Sequence, residues 1–134
     1  MEANKIIITG AATRMGAAIA KKLSGPGVEM VIHYNKSKSE AEKLQKELSK
    51  NKTKVYLVKG DLAKEQDLKK IIKFSKLKLK YFDCLVNNAS LFENDGLKNF
   101  SSKSWNQHID VNLKDPHILQ KNFQKMLRVK TTIL

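Results

Sequence analysis

The residues best suited to chemistry form a short glycine-containing segment near the N-terminus, Thr9-Gly10-Ala11-Ala12-Thr13-Arg14-Met15-Gly16. The segment follows an apolar run and precedes a stretch with helical periodicity. Glycines allow the backbone to approach a ligand closely, and the first turn of a helix presents unpaired N–H groups and the positive end of its dipole. The segment therefore predicts a site for a pyrophosphate, with a tight turn that binds nothing as the alternative.

A second group of polar residues, Asn35, Lys36 and Ser37, follows the next apolar run. Sites for NAD usually place an acidic residue here for the ribose 2′-hydroxyl, whereas sites for NADP place positive charge and donors here for the 2′-phosphate. Lys36 supplies a cation, Ser37 supplies a hydroxyl, and Arg14 adds a second cation. The pattern favours NADP(H) as the cofactor, and the alternative is that Lys36 is an ordinary surface lysine.

Polar residues also follow the third and fourth apolar runs. They are Asp61-Leu62 in the first case and Asn87-Asn88-Ala89-Ser90 in the second. Ligands of open parallel sheets bind at the carboxyl ends of the strands. We therefore expect all four groups of residues to meet at one edge of a sheet.

The elements that must position these residues follow from the hydrophobic pattern. Short apolar runs alternate four times with longer amphipathic stretches, which is the pattern of βαβ units. The pattern predicts strands and helices in alternation, with strands at residues 5–9, 28–34, 55–59 and 82–86 and helices at about 14–24, 37–51 and 64–79. We expect an α/β fold with a doubly wound parallel sheet of Rossmann type, truncated after about four strands and one following long helix.

That last helix is predicted from about residue 101 to residue 127, with a kink at Pro116. Its apolar residues are expected to face inward, namely Trp105, Ile109, Leu113, Leu119 and Phe123. A length of 134 residues allows one domain, so residues 1–134 are predicted to form a single unit.

The formal net charge of +13 raises the question of nucleic-acid binding. The positive charge comes almost entirely from lysines spread along the whole chain, since Arg14 and Arg128 are the only arginines. Lysines at helical spacing opposite apolar residues are typical of solvated helix faces. The sequence therefore favours a protein that binds neither nucleic acid nor, lacking a long apolar segment, a membrane.

Two further features limit the kind of protein. The single cysteine, Cys84, lies in an apolar run, and with no targeting segment in the sequence we expect a reducing, cytoplasmic location. His108 and His117 have no acidic or cysteine partners at metal-ligand spacing. We expect no metal site.

Together, these ordered motifs resemble the short-chain dehydrogenase/reductase superfamily, and most closely its pteridine reductase branch. The resemblance rests on Arg14 at the usual middle glycine of the first loop, on the segment from His33 to Ser37, and on Asp61, Asn88 and Asn112 in the expected order. It implies a set of cofactor-binding residues, namely Gly10, Arg14, Met15, Gly16, Asn35, Lys36, Ser37, Asp61, Leu62, Asn88, Ala89 and Ser90.

The resemblance also implies roles in the reaction. Ser90 and Phe92 match the serine and the aromatic residue that border the substrate ring in pteridine reductases, and a flat aromatic face there would stack on a pteridine. Asn87 would hold strands together, and Asn112 matches the asparagine whose backbone carbonyl holds a water of the proton relay. The implied reaction is hydride transfer from NADPH to a pteridine or another carbonyl compound.

In this family a tyrosine donates the proton, and a lysine four residues later lowers the pKa of that tyrosine. The tyrosines here are Tyr34 and Tyr56, in predicted strands, and Tyr81, at a helix end. We therefore expect the catalytic Tyr-x-x-x-Lys pair to be absent and this chain alone to be inactive. The alternatives are a nucleotide-binding or partner-binding protein, with the sheet completed by a second copy or by another chain, and a basic nucleic-acid-binding protein.

Overall fold

The four apolar runs form one parallel sheet in the computed structural model, which describes residues 4–91, 99 and 101–126. The strands are β1 (Lys5–Ile8), β2 (Glu29–Tyr34), β3 (Lys54–Lys59) and β4 (Cys84–Val86). Their spatial order is β3-β2-β1-β4, and each neighbouring pair is parallel. The change of direction on either side of β1 places a crevice at the carboxyl ends of β1 and β4.

Helices cover both faces of this sheet. They are α1 (Arg14–Leu23), α2 (Lys38–Lys50), α3 (Glu65–Leu79), α4 (Ser102–Ile109) and α5 (Asp115–Phe123). Ile6 and Ile8 pack in a core with residues of α1 and α2, whereas Ile7 packs in a second core with residues of α3 and α5. Burial of both faces explains why β1 is a continuous apolar run, and the predicted doubly wound parallel sheet is confirmed.

The last helical segment differs from its prediction. A π-helical turn, Asp110–Lys114, separates α4 from α5, and Pro116 lies in the first turn of α5. A proline ring clashes with the carbonyl group four residues earlier in a helix, which here is that of Asn112 in the π-helical turn, so the interruption lies where Pro116 is expected to distort the helix. A short 3₁₀ turn, Gln124–Met126, ends the described part of the segment.

The expected inward face of this segment is wrong in its first half. Trp105, Ile109 and Leu113 are exposed by 54%, 36% and 65%, whereas Leu119 and Phe123 are fully buried. A π-helical turn contains an extra residue, so apolar side chains before and after it do not remain on one face. Only the α5 half packs against the sheet, where the Phe123 ring meets Phe82 edge-to-face at 5.2 Å.

Across the described residues, no helix is both long and apolar enough to span a bilayer. The same part of the chain contains no cluster of three or more His, Cys, Asp or Glu side chains that could bind a metal ion.

Candidate functional site

The segments that follow all four strands surround one cavity of about 830 Å³ at the carboxyl edge of the sheet. This is the edge at which the sequence predicts the site. The cavity is lined by most of the predicted cofactor residues, namely Gly10, Arg14, Met15, Asn35, Lys36, Ser37, Asp61, Leu62, Asn88, Ala89 and Ser90. The structure thus brings together residues up to 80 positions apart in the sequence.

Thr9 connects the segment after β1 to the segment after β4. Its hydroxyl oxygen accepts hydrogen bonds from the N–H groups of Asn88 and Ala89, both at 3.1 Å. The Asn88 side chain also bonds to the segment after β1: its Nδ2 donates to the carbonyl oxygens of Thr9 and Gly10 at 3.2 and 3.0 Å. Asn88 therefore fixes the shape of the glycine-containing turn. Its amide donors face the turn.

The two glycines of the turn allow these segments to pack closely. Gly10 has a φ of +61°, and a Cβ atom there would lie 2.8 Å from the Ala89 Cα. A Cβ on Gly16 would lie 2.5 Å from the Gly10 carbonyl oxygen and equally close to Asn88 Nδ2. Gly16, predicted to bind cofactor, lies behind the cavity wall and lets α1 approach the turn.

Arg14 has an unusual backbone conformation for its residue type. Its φ of +50° lies in the left-handed region, which is unfavourable for a residue with a Cβ by about 1–2 kcal/mol. The side chain is exposed and lines the cavity, as does Met15, which is 70% exposed. A strained arginine at the mouth of a cavity points to a role for its charge, because the backbone conformation favours glycine.

His33 is a site residue to which sequence reasoning assigned no role. The Gly10 N–H donates to its Nδ1 at 3.1 Å, so Nε2 carries the proton and donates to the Gly60 carbonyl oxygen at 2.8 Å. Burial lowers the pKa of His33, which keeps the ring neutral. The available signal was a polar residue in an apolar strand, since buried polar groups need hydrogen-bond partners.

The end of β2 presents positive charge to the cavity. Lys36 is exposed, and neither it nor Arg14 forms an ion pair within the described part of the chain. The acid on the wall is Asp61, and its Oδ1 accepts the Ala63 N–H at 3.0 Å. The carboxylate thus stabilises the turn that leads into α3.

The residues predicted to act in the reaction are less completely placed. Ser90 is exposed on the cavity wall, and Phe92 lies outside the described residues. Asn112 lies in the π-helical turn and does not line the cavity. Its side chain exchanges two hydrogen bonds of 2.8 Å with the backbone of Leu91, so it positions the segment after β4. The relay role of its carbonyl stays a prediction.

One tyrosine does precede a lysine by four residues, so the expectation that this spacing is absent needs correction. Tyr34 is only 8% exposed, and its ring packs with Ala12 and Ala41. Lys38, in the first turn of α2, forms an ion pair with Glu42 at 3.8 Å. Tyr34 belongs to β2 and to the core, so this pair does not match the family's catalytic tyrosine and lysine.

Comparisons with known proteins identify relatives by sequence and by structure. The chain is 29% identical over 126 residues to the 3-oxoacyl-[acyl-carrier-protein] reductase FabG of Staphylococcus epidermidis, covering 93% of this chain and 52% of that protein. It is 28% identical to the FolM alternative dihydrofolate reductase 1 of Brucella canis, which was solved in complex with NADP. That alignment has a TM-score of 0.84 and covers 96% of this chain and 53% of the other.

A short-chain dehydrogenase/reductase from Serratia marcescens shares the fold with a TM-score of 0.89 at 22% identity, over 97% of this chain and 53% of that one. The chain thus spans about half the length of the relatives that it matches. The family model described as short chain dehydrogenase matches residues 4–132, so this chain belongs to the short-chain dehydrogenase family.

Proposed function

We propose that residues 1–134 form a single NADP(H)-binding domain. The observation that carries the proposal is the composition of the cavity wall after β2, where Lys36 and Ser37 follow the strand and no acid replaces them. Arg14 lies on the same wall from the β1–α1 turn. Cations and a hydroxyl are the groups that a 2′-phosphate requires, whereas a free 2′-hydroxyl is normally met by a carboxylate.

The rest of the cavity fits a dinucleotide. The glycine turn brings backbone close to the first turn of α1, as a pyrophosphate needs. Asp61 and Leu62 would lie beside the adenine, and Asn88 with Ala89 along the adenosine, as the family resemblance implies. The NADP complex of the Brucella protein, at 28% identity, supports this assignment.

We further propose that the activity is an NADPH-dependent reduction by hydride transfer, with a pteridine as the substrate. The bound cofactor would supply the hydride and the residues of this chain would hold it, and the family resemblance implies that Ser90 and Phe92 would border the substrate. The Brucella dihydrofolate reductase supports a pteridine. The similarity to FabG supports a carbonyl substrate instead, and comparing the two substrate types separates these possibilities.

These 134 residues alone are expected to show no turnover. No tyrosine follows Asn112, and Tyr34 is only 8% exposed at the end of β2, so no tyrosine among the described residues matches the family's proton donor. The measurement is NADPH oxidation with a panel of dihydropteridines and 3-oxoacyl thioesters. Activity above the no-enzyme control that survives repurification would show that another group acts as the acid.

A second candidate function is nucleotide or partner binding without catalysis, in which a second copy or another chain completes the sheet. The observation that favours it is Asn87, directly after β4 at the sheet edge. Both polar atoms of its amide are buried without a hydrogen-bond partner in the described part of the chain. Nucleic-acid binding is a weaker candidate, since the lysines are distributed over many faces, and it requires affinity for DNA that falls steeply with salt.

Fluorescence titration with NADPH and NADH tests the proposed function. We expect binding that is weak but at least several-fold tighter for NADPH. The Lys36→Glu change should abolish this preference, because it places an acid where NAD sites have one. Lys50→Glu, at the far end of α2, is the control for the same change of charge. Equal affinity for both cofactors, or an unchanged preference in Lys36→Glu, would contradict the assignment.

A further inference from the structure

A second cavity, of about 670 Å³, adjoins the first one at the ends of β2 and β3. The two cavities share Asn35, Lys36 and Asp61 as lining residues. The second cavity is also lined by three lysines that contribute nothing to the first, Lys59, Lys64 and Lys70. We call this second cavity the lysine pocket.

The fold brings these lysines to the end of β2. Lys59 is the last residue of β3, and its Cα is paired with Tyr34, the last residue of β2. The next N–H, that of Gly60, donates to the Tyr34 carbonyl oxygen at 3.0 Å and keeps the two strand ends together. Lys59 therefore lies beside Asn35 and Lys36, although 23 residues separate it from Lys36 in the sequence.

Lys64 reaches the same pocket from the start of α3. Its N–H donates to the Asp61 carbonyl oxygen at 2.9 Å, which closes the turn between β3 and α3. Lys70 approaches from the second turn of α3. Lysines from three different segments thus converge on one concave surface.

The pocket carries a net positive charge. Four lysines and two carboxylates line it. Each carboxylate already accepts a hydrogen bond from a backbone N–H group. Asp61 accepts from the Ala63 N–H, and Asp67 accepts from the Asp61 N–H at 2.8 Å. None of the four lysines forms an ion pair with any described residue. Uncompensated lysines that share a pocket favour a bound anion.

We infer that the lysine pocket receives the 2′-phosphate of the cofactor and that Lys59 and Lys64 determine specificity for NADP(H) together with Lys36. The inference rests on the proposed function. A phosphate monoester carries a charge of about −1.5 to −2 near neutral pH, which a single exposed lysine does not neutralise. The shared wall at Asn35 and Lys36 is where the ribose of an adenosine bound in the first cavity would meet this pocket, and Lys59 and Lys64 line the pocket whereas Arg14 lines only the first cavity.

The experiment uses two nucleotide fragments that differ only in the 2′-phosphate, adenosine 2′,5′-bisphosphate and adenosine 5′-monophosphate. Calorimetric titration of Lys59→Gln and Lys64→Gln should show bisphosphate affinity reduced about threefold to tenfold, with monophosphate affinity changed less than twofold. Lys59→Arg should retain most of the affinity. Lys73→Gln, an exposed position on α3 that lines neither cavity, is the control for lost charge.

The following results would overturn the inference. Bisphosphate affinities for both variants equal to that of Lys73→Gln would show that these lysines do not meet the phosphate. Equal losses of affinity for both fragments would show that the lysines attract nucleotides through the overall positive charge and do not recognise the 2′-phosphate. A wild-type chain that binds the two fragments equally would overturn the proposed function as well, whereas a wild-type preference that survives both substitutions rejects only the role of Lys59 and Lys64.

Discussion

The binding role proposed for Arg14 comes at a cost to the backbone. Replacing it with glycine relieves the strain at φ +50° but adds the backbone entropy of glycine, and the two effects nearly cancel. We expect Arg14→Gly to change the free energy of unfolding by less than about 1 kcal/mol while NADPH affinity falls several-fold. Urea denaturation and fluorescence titration measure the two quantities.

Arg14→Ala provides the matched control, because it removes the guanidinium and retains a Cβ in the left-handed conformation. It should lose the same affinity and leave the free energy of unfolding close to that of the original chain, because alanine and arginine carry the same strain at this φ. If both variants bind NADPH as tightly as the original chain, the strain at Arg14 has no connection with the cofactor.

His33 gives the stability of the turn a pH dependence. Its pKa is lowered by burial, so as the pH falls the unfolded chain takes up a proton before the folded one does. The stabilising contribution is therefore complete above the ordinary pKa of 6.5 and is lost as the pH falls toward the lowered value. Protonation would also set an Nδ1–H against the Gly10 N–H.

Asp115 works in the opposite direction over part of this range. Burial raises the pKa of Asp115 to about 6 from 3.8, so the contribution of Asp115 to stability is complete below the unfolded pKa and is lost as the pH rises through about 6.

The effect of His33 is isolated by comparison with the variant His33→Gln, whose side-chain amide can accept a hydrogen bond from Gly10 and donate one to Gly60. Between pH 7 and pH 5, urea titrations should show a larger loss of stability for the original chain than for the variant. Parallel losses would assign the effect to other groups.

At the scale of elements, the sequence predicted the features that depend on the local hydrophobic pattern. The apolar run of β1 predicted a strand buried on both faces, and it is one, because Ile6 and Ile7 pack on opposite sides. The location of the site followed from strand order, since loops after parallel strands share one edge. These features depend on side-chain periodicity and on chain connectivity, both of which are visible in the sequence.

Pro116 predicted an interruption of the last helical segment, but its π-helical form was not predictable from the same information. Its hydrogen bonds span five residues, and nothing in Asp110–Lys114 distinguishes it from an ordinary helix by periodicity. The reciprocal bonds between Asn112 and the backbone of Leu91 show that tertiary contacts accompany it. The role of His33 was hidden for a related reason, because both of its partners lie in other segments of the chain.

At the scale of the whole molecule, two features favour association: the edge of the described sheet at β4 and an apolar stripe at the surface. β4 is an edge strand of the described sheet, and its three residues, Cys84–Val86, are all buried. Trp105, Ile109 and Leu113 recur at intervals of four residues and form an exposed apolar stripe. Edge strands pair readily with other strands, and apolar patches of this kind favour association.

We therefore predict that the 134-residue chain associates into small oligomers and that salt strengthens the association. The net charge of +13 opposes contact between copies, and added salt screens this repulsion within about 10 Å at 0.1 M. Light scattering across salt concentrations, together with thermal unfolding, measures both effects. Leu113→Lys should reduce the average mass by placing charge in the stripe, whereas Lys103→Gln, on an exposed α4 residue outside it, should not. A monodisperse monomer with a sharp cooperative transition in high salt would show that the edge of β4 and the stripe need no partner.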